Sequence, residues 1–573
     1  MSVFVDFLTR NFTKTWFGFA TALIASILTI ASPIYLHGFR ESSDMSSHLS
    51  FAHAFQAAFS GGELYPGWAN DNLGFGSVGI RLYPPLSAFF SAVSEFATGD
   101  WHCAYSLNVF EWMLAGSFGM FLFVREWSSP GYGIFAGILY CIVPYHLSQI
   151  FHFFLYAEFA AMAVLPFCFL YLTRLCRRGN WSDVTPLAVS SSLLVLTHIP
   201  LTVMMGFTAL AYVPFVIDWR KWKTISLQLI LTGATVGAAT AFFWVRVVTE
   251  VLWVSHSNSQ YTVLGNPRGP MLFPYVLADY DITSLRPFLR YFDILTTLTI
   301  ALLIPSFVVL ITGKRNAQRE SRRVIAATTL SAGIGIFMFS KPSSFLWTNI
   351  EIFARLQYPW RWLAVVSALS VASISLSLAW FVEEKRIAVR SAVFAALFLV
   401  IFFAAADIRQ VRSAPFSISR DRFNELANEV QSDKVAEHWW PVWANSSAFE
   451  NMEPVTAGDR QVQLLSWEAE RRKFLVDEGS STQARVATFY YPYWSATVNG
   501  QPVEIDKAYD GTIILPIGEG RSDVDLRFEE PLLNRVAAGM STAVSILMIA
   551  ALFFPFLRRM KRKESIVAEA PGS

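Results

Sequence analysis

Charged residues are scarce in this chain. Asp, Glu, Lys and Arg make up 15% of its 573 residues, against about 25% in soluble domains. Hydrophobic residues make up 54%, and the mean hydropathy is +0.40. This composition excludes an ordinary soluble protein and predicts a polytopic membrane protein.

Cysteine is rarer still, and the common cofactor motifs are missing. The chain has four cysteines, all in or beside apolar segments: Cys103, Cys141, Cys168 and Cys176. They show no CxxC or Cys/His spacing, so we expect packing residues rather than disulfides or a zinc site. The sequence has no Walker A motif, no GxGxxG between a strand and a helix, no HExxH and no nucleophile elbow. It therefore disfavours a water-phase cofactor enzyme and leaves a divalent metal open.

Apolar segments of membrane-spanning length recur along the chain. We predict about twelve spans, near residues 16–36, 103–124, 131–148, 158–173, 184–199, 201–217, 224–246, 291–312, 323–340, 361–382, 388–406 and 534–557. The first is too long for a cleavable signal and lacks a small-residue cleavage site, so it is interpreted as an anchor. Clusters of Lys and Arg mark the cytoplasmic side and place both termini inside. The shorter segment 84–97 is interpreted as an interfacial or re-entrant helix.

Three regions follow from this pattern. Residues 1–406 form a transmembrane domain with a long first external loop, 37–101, that is rich in Gly and Pro. Residues 407–531 turn polar, contain alternating strand patterns and carry the hairpin signal Asn499-Gly500. They predict an extracytoplasmic, β-sandwich-like domain. Residues 532–573 form a last span and a basic cytoplasmic tail.

A polar stretch directly follows the first span. Ser42 or Ser43 can cap a helix start, and Glu41, Asp44 and His48 then stand at i, i+3 and i+7 on one face. Two carboxylates and an imidazole would meet at the membrane surface. The alternative is an ordinary polar juxtamembrane helix.

Other ionisable residues are predicted at the same face of the membrane. Asp71 lies within the first loop, His152 and Glu158 in the second external turn, His198 at the outer end of the fifth span and Arg361 at the mouth of the tenth. Ionisable residues at membrane depth are costly and are usually functional. The alternatives are histidines that cap helix ends and an arginine that reaches to headgroups. His438, beside two tryptophans, is predicted to be structural.

Short motifs carry a resemblance to known families. They are Asp44-x3-His48, Gly74-Phe75-Gly76 with Tyr83-Pro84-Pro85-Leu86, Ala157-Glu158 with Leu165-Pro166, and Tyr358-Pro359-Trp360-Arg361. The chain resembles bacterial membrane proteins described as 6-pyruvoyl-tetrahydropterin synthase related, although no pterin chemistry is visible. More broadly it resembles the GT-C membrane glycosyltransferases, which place an acidic residue just after the first transmembrane helix and transfer sugars from polyprenyl phosphates.

The resemblance implies a GT-C-like helical fold and a glycosyltransferase of the bacterial cytoplasmic membrane, with an extracytoplasmic active face. Asp44 would be the general base, with His48 and Asp71 as further catalytic candidates. The implied substrate-binding residues are Glu41, His152, Glu158, His198 and Arg361. The expected partners are a polyprenyl-phosphate sugar donor, a glycan or glycolipid acceptor and membrane lipid, without nucleic acid. The alternatives are a lipid or glycolipid transporter and a non-catalytic assembly protein.

Overall fold

The computed structural model describes residues 15–257, 270–277, 286–313, 319–413, 417–430 and 437–568. The helices up to the bend in the chain are α1 Thr15–His37, α2 Ser43–Ser60, α3 Gly79–Leu82, α4 Leu86–Thr98, α5 Trp101–Trp127, α6 Pro130–Phe153, α7 Tyr156–Arg178, α8 Val184–Thr197, α9 Ile199–Val216, α10 Trp222–Ala239 and α11 Ala241–Glu250. The later helices are α12 Arg286–Ala301, α13 Ile304–Thr312, α14 Arg319–Phe339, α15 Ser344–Asn349, α16 Glu351–Ala354, α17 Trp362–Glu383, α18 Val389–Ser413, α19 Arg420–Glu429 and α20 Leu532–Ala568.

The predicted polytopic membrane fold is confirmed. Within the described ranges, ten helices are long and apolar enough to cross a membrane, or eleven if the bent pair α10 and α11 counts as one span. The predicted span 184–199 is the 14-residue helix α8, shorter than the roughly 20 residues of a straight crossing. The predicted span 224–246 bends by 74°. Ser541 of α20 holds this bend, accepting from Phe242 N at 3.0 Å and donating to Ala238 O at 2.9 Å.

Two helices form the centre of the membrane domain. The most apolar windows of α6 and α17 are 94% and 89% buried by other parts of the protein, whereas those of α18 and α20 are only 17% buried. Serines recur along α17, where small side chains allow neighbouring helices to approach closely. Ser373 donates to Thr328 of α14 at 2.7 Å. The helices α18 and α20 therefore lie at the lipid-facing edge.

The C-terminal region contains two packed antiparallel sheets. Their strands are β3 Val455–Thr456, β4 Val462–Glu468, β5 Arg471–Val476, β6 Thr482–Phe489, β7 Trp494–Val498, β8 Gln501–Val503, β9 Asp506–Lys507, β10 Thr512–Ile517 and β11 Ser522–Phe528, whereas β1 Phe39–Arg40 and β2 Ser417–Ile418 form a separate pair. One sheet has the order β3-β6-β10-β9 and the other β4-β5-β11-β7-β8. Asn499 and Gly500, with φ of 52° and 77°, form the tight turn between β7 and β8, as the sequence predicts.

The first external loop packs on this β-sheet region. The strands β1 and β2 pair antiparallel, and Trp68 is buried with Trp494 and Phe528, its ring centroid 5.5 and 5.6 Å from theirs. A Cβ atom at Gly76 would lie 2.1 Å from the Trp68 indole nitrogen, so this close approach requires glycine. The loop and the β-sheets therefore lie at the same end of the membrane domain.

A buried ion network joins the loop, the bent helix pair and the last helix. Arg81 donates to Glu250 through Nε and Nη2, both at 2.8 Å, and also to Glu530. Tyr491 and Asn534 donate to Glu250 at 2.7 and 3.0 Å. We refer to these five residues as the Arg81 network. Because its members come from four separate parts of the chain, the network fixes the loop beside the membrane domain.

Candidate active site

A cavity of about 330 Å³ lies at the end of the membrane domain that carries the first loop. This is the lower part of the range for small-molecule sites, roughly 300–1,000 Å³. The ionisable side chains in its wall are Asp44, His48, Glu158, His198, His256, Arg355, Arg361 and His438. The structure thus brings together Asp44, His48, Glu158 and Arg361, which the sequence analysis places at one membrane face.

The first wall of the cavity is the start of α2. Ser42, the residue before this helix, donates through Oγ to Phe153 O at 2.9 Å and so ties the helix start to the end of α6. Asp44 and His48 stand one turn apart and both line the cavity. Glu41 precedes the helix and is exposed outside the cavity wall. The structure therefore separates Glu41 from the other two.

The cavity wall also holds a fixed arginine. Arg361 ends the turn Pro359–Arg361 before α17, and its Nε lies 3.2 Å from Glu158 Oε2. Tyr145 donates to Glu158 Oε1 at 2.7 Å, and Arg361 Nη1 donates to Leu356 O at 3.2 Å. The guanidinium also lies 5.0 Å from the ring centroid of Tyr358. These contacts determine where the positive charge sits.

Asp44 differs from Glu158 in being exposed to the cavity. It nevertheless lies deep enough that burial raises the pKa of its carboxyl, while the charge of Arg361 opposes that rise. A carboxylate with a raised pKa is a stronger base than one on an open surface. Asp44 is thus the carboxylate of this cavity that is best placed to accept a proton.

The histidines of the cavity are uncharged near neutral pH. Burial lowers the pKa of His48 to about 4. Burial, with the charges of Arg361 and Arg355, lowers the pKa of His256 to about 4, and burial beside His256 lowers the pKa of His438 to about 4. The positive charge of the cavity therefore comes from its two arginines.

An aromatic wall was missed by the sequence analysis. His256 stacks beside Trp439 and His438, with ring centroids 4.8 and 5.7 Å apart, and all three side chains line the cavity. The sequence predicts a structural role for His438, whereas the structure places its side chain in the cavity wall. The pair His438-Trp439 comes from the polar C-terminal region, so only the tertiary fold brings it to the membrane domain. The aromatic cluster in the sequence was the one signal for it.

His198 both caps a helix and lines the cavity. Its Nδ1 accepts from Leu201 N at 3.3 Å at the start of α9, as the capping alternative predicts.

His152 does not line the cavity. It lies in a π-helical turn at the end of α6, with Nδ1 3.5 Å from Gln410 Nε2.

Asp71 also lies outside the cavity wall. Ser50 and Ser77 donate to its Oδ2 at 2.8 and 3.0 Å, and Asn72 donates to Oδ1 at 3.0 Å. Burial raises the pKa of Asp71 to about 6 although these hydrogen bonds oppose it. This carboxyl organises the first loop rather than the cavity. Among the described residues, no three His, Cys, Asp or Glu side chains are grouped so as to hold a metal ion.

The family assignment comes from the middle of the chain. A family model described as 6-pyruvoyl-tetrahydropterin synthase related domain, membrane protein, matches residues 80–411. The chain belongs to this family. The matched region of this PTPS-related protein includes Glu158, His198, His256 and Arg361 and begins after Asp44. No curated protein sequence matches the chain.

Solved structures give distant matches to this PTPS-related protein. The arabinofuranosyltransferase AftD from Mycobacteria is 13% identical over 70% of this chain and 27% of its own, with a TM-score of 0.45. ArnT from Cupriavidus metallidurans is 17% identical over 72% of this chain and 74% of its own, with a TM-score of 0.39. The oligosaccharyltransferase of Archaeoglobus fulgidus is 13% identical over 74% of this chain and 59% of its own, with a TM-score of 0.34. This chain spans little more than a quarter of the mycobacterial enzyme.

Proposed function

We propose that this protein is a glycosyltransferase that moves a sugar from a polyprenyl-phosphate donor to a glycan or glycolipid acceptor outside the cytoplasmic membrane. The observation that carries the proposal is the pairing of two features in one cavity. An exposed carboxylate, Asp44, and the fixed guanidinium of Arg361 line the same cavity. A proton acceptor and an anion-binding group are the two elements that this transfer needs.

Asp44 would act on the acceptor. Its carboxylate takes the proton of the acceptor hydroxyl while the hydroxyl oxygen forms a bond to the anomeric carbon of the donor sugar. The bond from that carbon to the phosphate oxygen breaks, and the lipid phosphate leaves with the electron pair. Attack and departure occur on opposite faces of the sugar, so the product has inverted configuration. His48, one turn further along α2, is uncharged and contributes shape and hydrogen bonding.

Arg361 would bind the departing phosphate. A guanidinium presents two parallel N–H donors to phosphate oxygens, which an ammonium does not. Glu158, which also lines the cavity, forms an ion pair with Arg361 at 3.2 Å and restrains the guanidinium. Arg355 is a second cation of the cavity, held to Glu351 at 2.7 Å on an exposed turn. His48 is uncharged and His152 does not line the cavity, so the positive charge for the phosphate comes from the two arginines.

The sugar and the lipid tail have separate surroundings. Trp439, His256 and Tyr83 line the cavity with flat, uncharged rings, which suit the apolar face of a sugar ring. The polyprenyl tail would lie against the apolar helices of the membrane domain. The Lys and Arg clusters of the sequence support an extracytoplasmic site, and labelling of a cysteine placed at the exposed Ser480 in intact cells tests that side.

The decisive experiment replaces Asp44 with Asn in the purified, full-length protein. Asn keeps the shape of the side chain but accepts no proton, so kcat should fall by about 10²–10⁴-fold. Transfer from a panel of polyprenyl-phosphate sugars is measured as radiolabel in the acceptor. The matched control is Glu63→Gln, an exposed carboxylate of the same loop, which should leave kcat unchanged.

Two outcomes would contradict the proposal. Transfer within a few-fold of wild type in folded Asp44→Asn protein would exclude Asp44 as the base. If the protein moves lipid across the membrane of vesicles without transferring sugar, and does so equally in wild type and in Asp44→Asn, the alternative of a lipid transporter would be favoured. Lipid extracts from wild-type and deletion strains, compared for an under-glycosylated lipid or polymer, would identify the acceptor.

A further inference from the structure

A second cavity lies within the membrane domain, apart from the charged cavity that contains Asp44. It has a volume of about 360 Å³ and lies between α12, α13, α17 and α18. All of its lining residues are apolar, and none of them lines the charged cavity. Phe398 and Phe402 of α18 line it and are 66% and 38% exposed, so the cavity is open to lipid on this side. We refer to it as the apolar groove.

A hydrogen bond between α12 and α18 marks the level of the membrane domain just beyond the apolar groove. Tyr291 of α12 donates to Ala406 O of α18 at 2.8 Å. Leu298 follows Tyr291 by seven residues, Leu399 precedes Ala406 by seven, and both line the apolar groove, so the two helices are antiparallel here. Because a helix rises by roughly 1.5 Å per residue, Ala406 lies only about 6 Å along the axis from Phe402, in the wall of the groove.

One face of α18 changes from aromatic to basic towards the end of the helix. Phe398, Phe402, Arg409 and Arg412 follow one another at spacings of four, seven and three residues, which keeps them in one stripe along the helix. Both arginines are exposed, and the chain continues from this end to β2, which pairs with the first external loop. The basic cluster that contains Arg386 precedes the other end of α18. Because Lys and Arg concentrate on the cytoplasmic side of membrane proteins, two exposed arginines at the loop-bearing end indicate a specific use.

The guanidinium of Arg409 lies close to the apolar groove. It is 5.8 Å from the ring centroid of Tyr291, the residue that contacts Ala406 O one turn beyond Phe402. Side chains on a helix lean towards its N-terminus, and in α18 this is the direction of the groove. The head of a lipid whose chain lies in the apolar groove would therefore meet this guanidinium.

No acid neutralises the two arginines in the part of the chain that the structure describes. Neither Arg409 nor Arg412 forms an ion pair with a carboxylate of those residues, whereas Arg420 pairs with Asp100 at 2.8 Å. Asp407 stands two residues before Arg409, on the opposite face of α18, and is only 4% exposed. Two exposed guanidinium groups above an apolar surface attract a lipid with a negative headgroup.

We propose that the apolar groove, Arg409 and Arg412 together bind an anionic phospholipid of the bilayer leaflet at the loop-bearing end of the protein. One acyl chain lies in the groove along Phe398 and Phe402. The lipid phosphate accepts hydrogen bonds from the parallel N–H donors of Arg409, and Arg412 adds positive charge beside the headgroup. Charge complementarity selects a phospholipid with net negative charge over a zwitterionic one with the same chains. The site is independent of the proposed transfer reaction, because no residue is common to both.

The test compares two phospholipids that differ only in the headgroup. Phosphatidylglycerol and phosphatidylcholine have the same acyl chains and carry the same photoreactive group in one chain. Each is incorporated at the same mole fraction into nanodiscs that contain the purified, full-length protein. Mass spectrometry measures labelling of the α18 segment 395–403. We expect phosphatidylglycerol to label this segment about tenfold more than phosphatidylcholine, because two arginines attract its negative headgroup.

Three variants separate the headgroup from the chain. Arg409→Gln with Arg412→Gln should bring labelling by phosphatidylglycerol to within about twofold of that by phosphatidylcholine, which itself should not change. The matched control is Arg521→Gln with Arg527→Gln, which removes two exposed arginines of the C-terminal region and should preserve the preference. Ala395→Trp fills the apolar groove and should reduce labelling by both lipids, with an unchanged melting temperature to show that the protein is folded.

The proposal fails if wild type is labelled equally by the two lipids, or if the preference survives the loss of Arg409 and Arg412. It also fails if the control pair loses the preference to the same extent, since net charge would then explain it, or if folded Ala395→Trp protein is labelled as strongly as wild type. An unlabelled polyprenyl phosphate at the same mole fraction should lower labelling by at most about half, the effect of a competitor with equal affinity. A greater loss would make the polyprenyl phosphate the occupant and overturn the assignment to a phospholipid.

Discussion

Two clusters of this protein combine an arginine with carboxylates, and they differ in how completely the charges are paired. In the Arg81 network, Arg81 and Glu250 are fully buried and joined by two hydrogen bonds of 2.8 Å, and Tyr491 and Asn534 also donate to Glu250. In the charged cavity, Arg361 has one carboxylate partner at 3.2 Å, and Asp44 is exposed.

The difference separates a structural use of charge from a functional one. Burial alone would lower the pKa of Arg81, but Glu250 and Glu530 outweigh it and raise the pKa well above the usual value for arginine. In the Arg81 network the positive charge is already paired with carboxylates, so a ligand could not form a further ion pair there. The cavity has a carboxylate with a raised pKa and a cation that is only partly compensated, so an incoming substrate can complete the pairing.

The largest effect that tests this comparison is on stability. Arg81→Met should destabilise the protein by about 3–5 kcal/mol, because the fully buried Glu250 loses its charge partner, whereas Glu530 keeps Arg246 at 3.0 Å. Unfolding of the purified protein in detergent, followed by tryptophan fluorescence, measures the change. Arg420→Met, which removes an exposed ion pair with Asp100, is the matched control and should have little effect. Equal effects of the two substitutions would mean that the Arg81 network does not stabilise the protein through its buried charges.

A smaller effect is expected at Asp71. Asp71→Asn weakens hydrogen bonds from Ser50 and Ser77 in the buried first loop and should cost about 1–3 kcal/mol of stability. Because Asp71 does not line the cavity, kcat per folded molecule should stay close to wild type. Unfolding and transfer are measured on the same preparation. A loss of kcat as large as that of Asp44→Asn would move the general base to Asp71.

Part of the candidate site could be predicted from the sequence because membranes impose simple rules. Asp44, His48, Glu158 and Arg361 each stand at the end of an apolar segment, and counting spans between Lys and Arg clusters places these ends on one side. Because ionisable side chains near lipid are unfavourable without partners or water, these four residues are expected to lie close together. No long-range contact has to be known for this inference.

The remaining features depend on tertiary structure. Arg81 and Glu250 are separated by 169 residues and Arg81 and Glu530 by 449, and no local pattern connects them. His438 reaches the cavity only because the β-sheet region folds back on the first loop. Glu41 stays outside because α2 begins at Ser43, as the sequence predicts, and Glu41 precedes the helix, so the helical spacing to Asp44 and His48 does not extend to it.

The smallest expected effect is a change in the pH dependence of transfer, and it separates charge from shape at Arg361. Asp44 must be ionised to accept a proton, so the rate falls as the pH drops through the pKa of Asp44. Burial raises that pKa and Arg361 lowers it. Arg361→Gln removes the positive charge and leaves Glu158 as an uncompensated neighbour, and both changes raise the pKa of Asp44. The acidic limb of the kcat profile should therefore move to higher pH.

Arg361→Lys is the matched variant for this measurement. It keeps the charge, so the acidic limb should stay near its wild-type position, while the loss of the two parallel donors weakens binding of the donor phosphate and raises its KM. Profiles of kcat and KM against pH for the three proteins give the answer. If Arg361→Gln and Arg361→Lys move the acidic limb of the kcat profile equally, the charge of Arg361 does not act on Asp44. Arg361 would then have a structural role alone, like Arg81 in the Arg81 network.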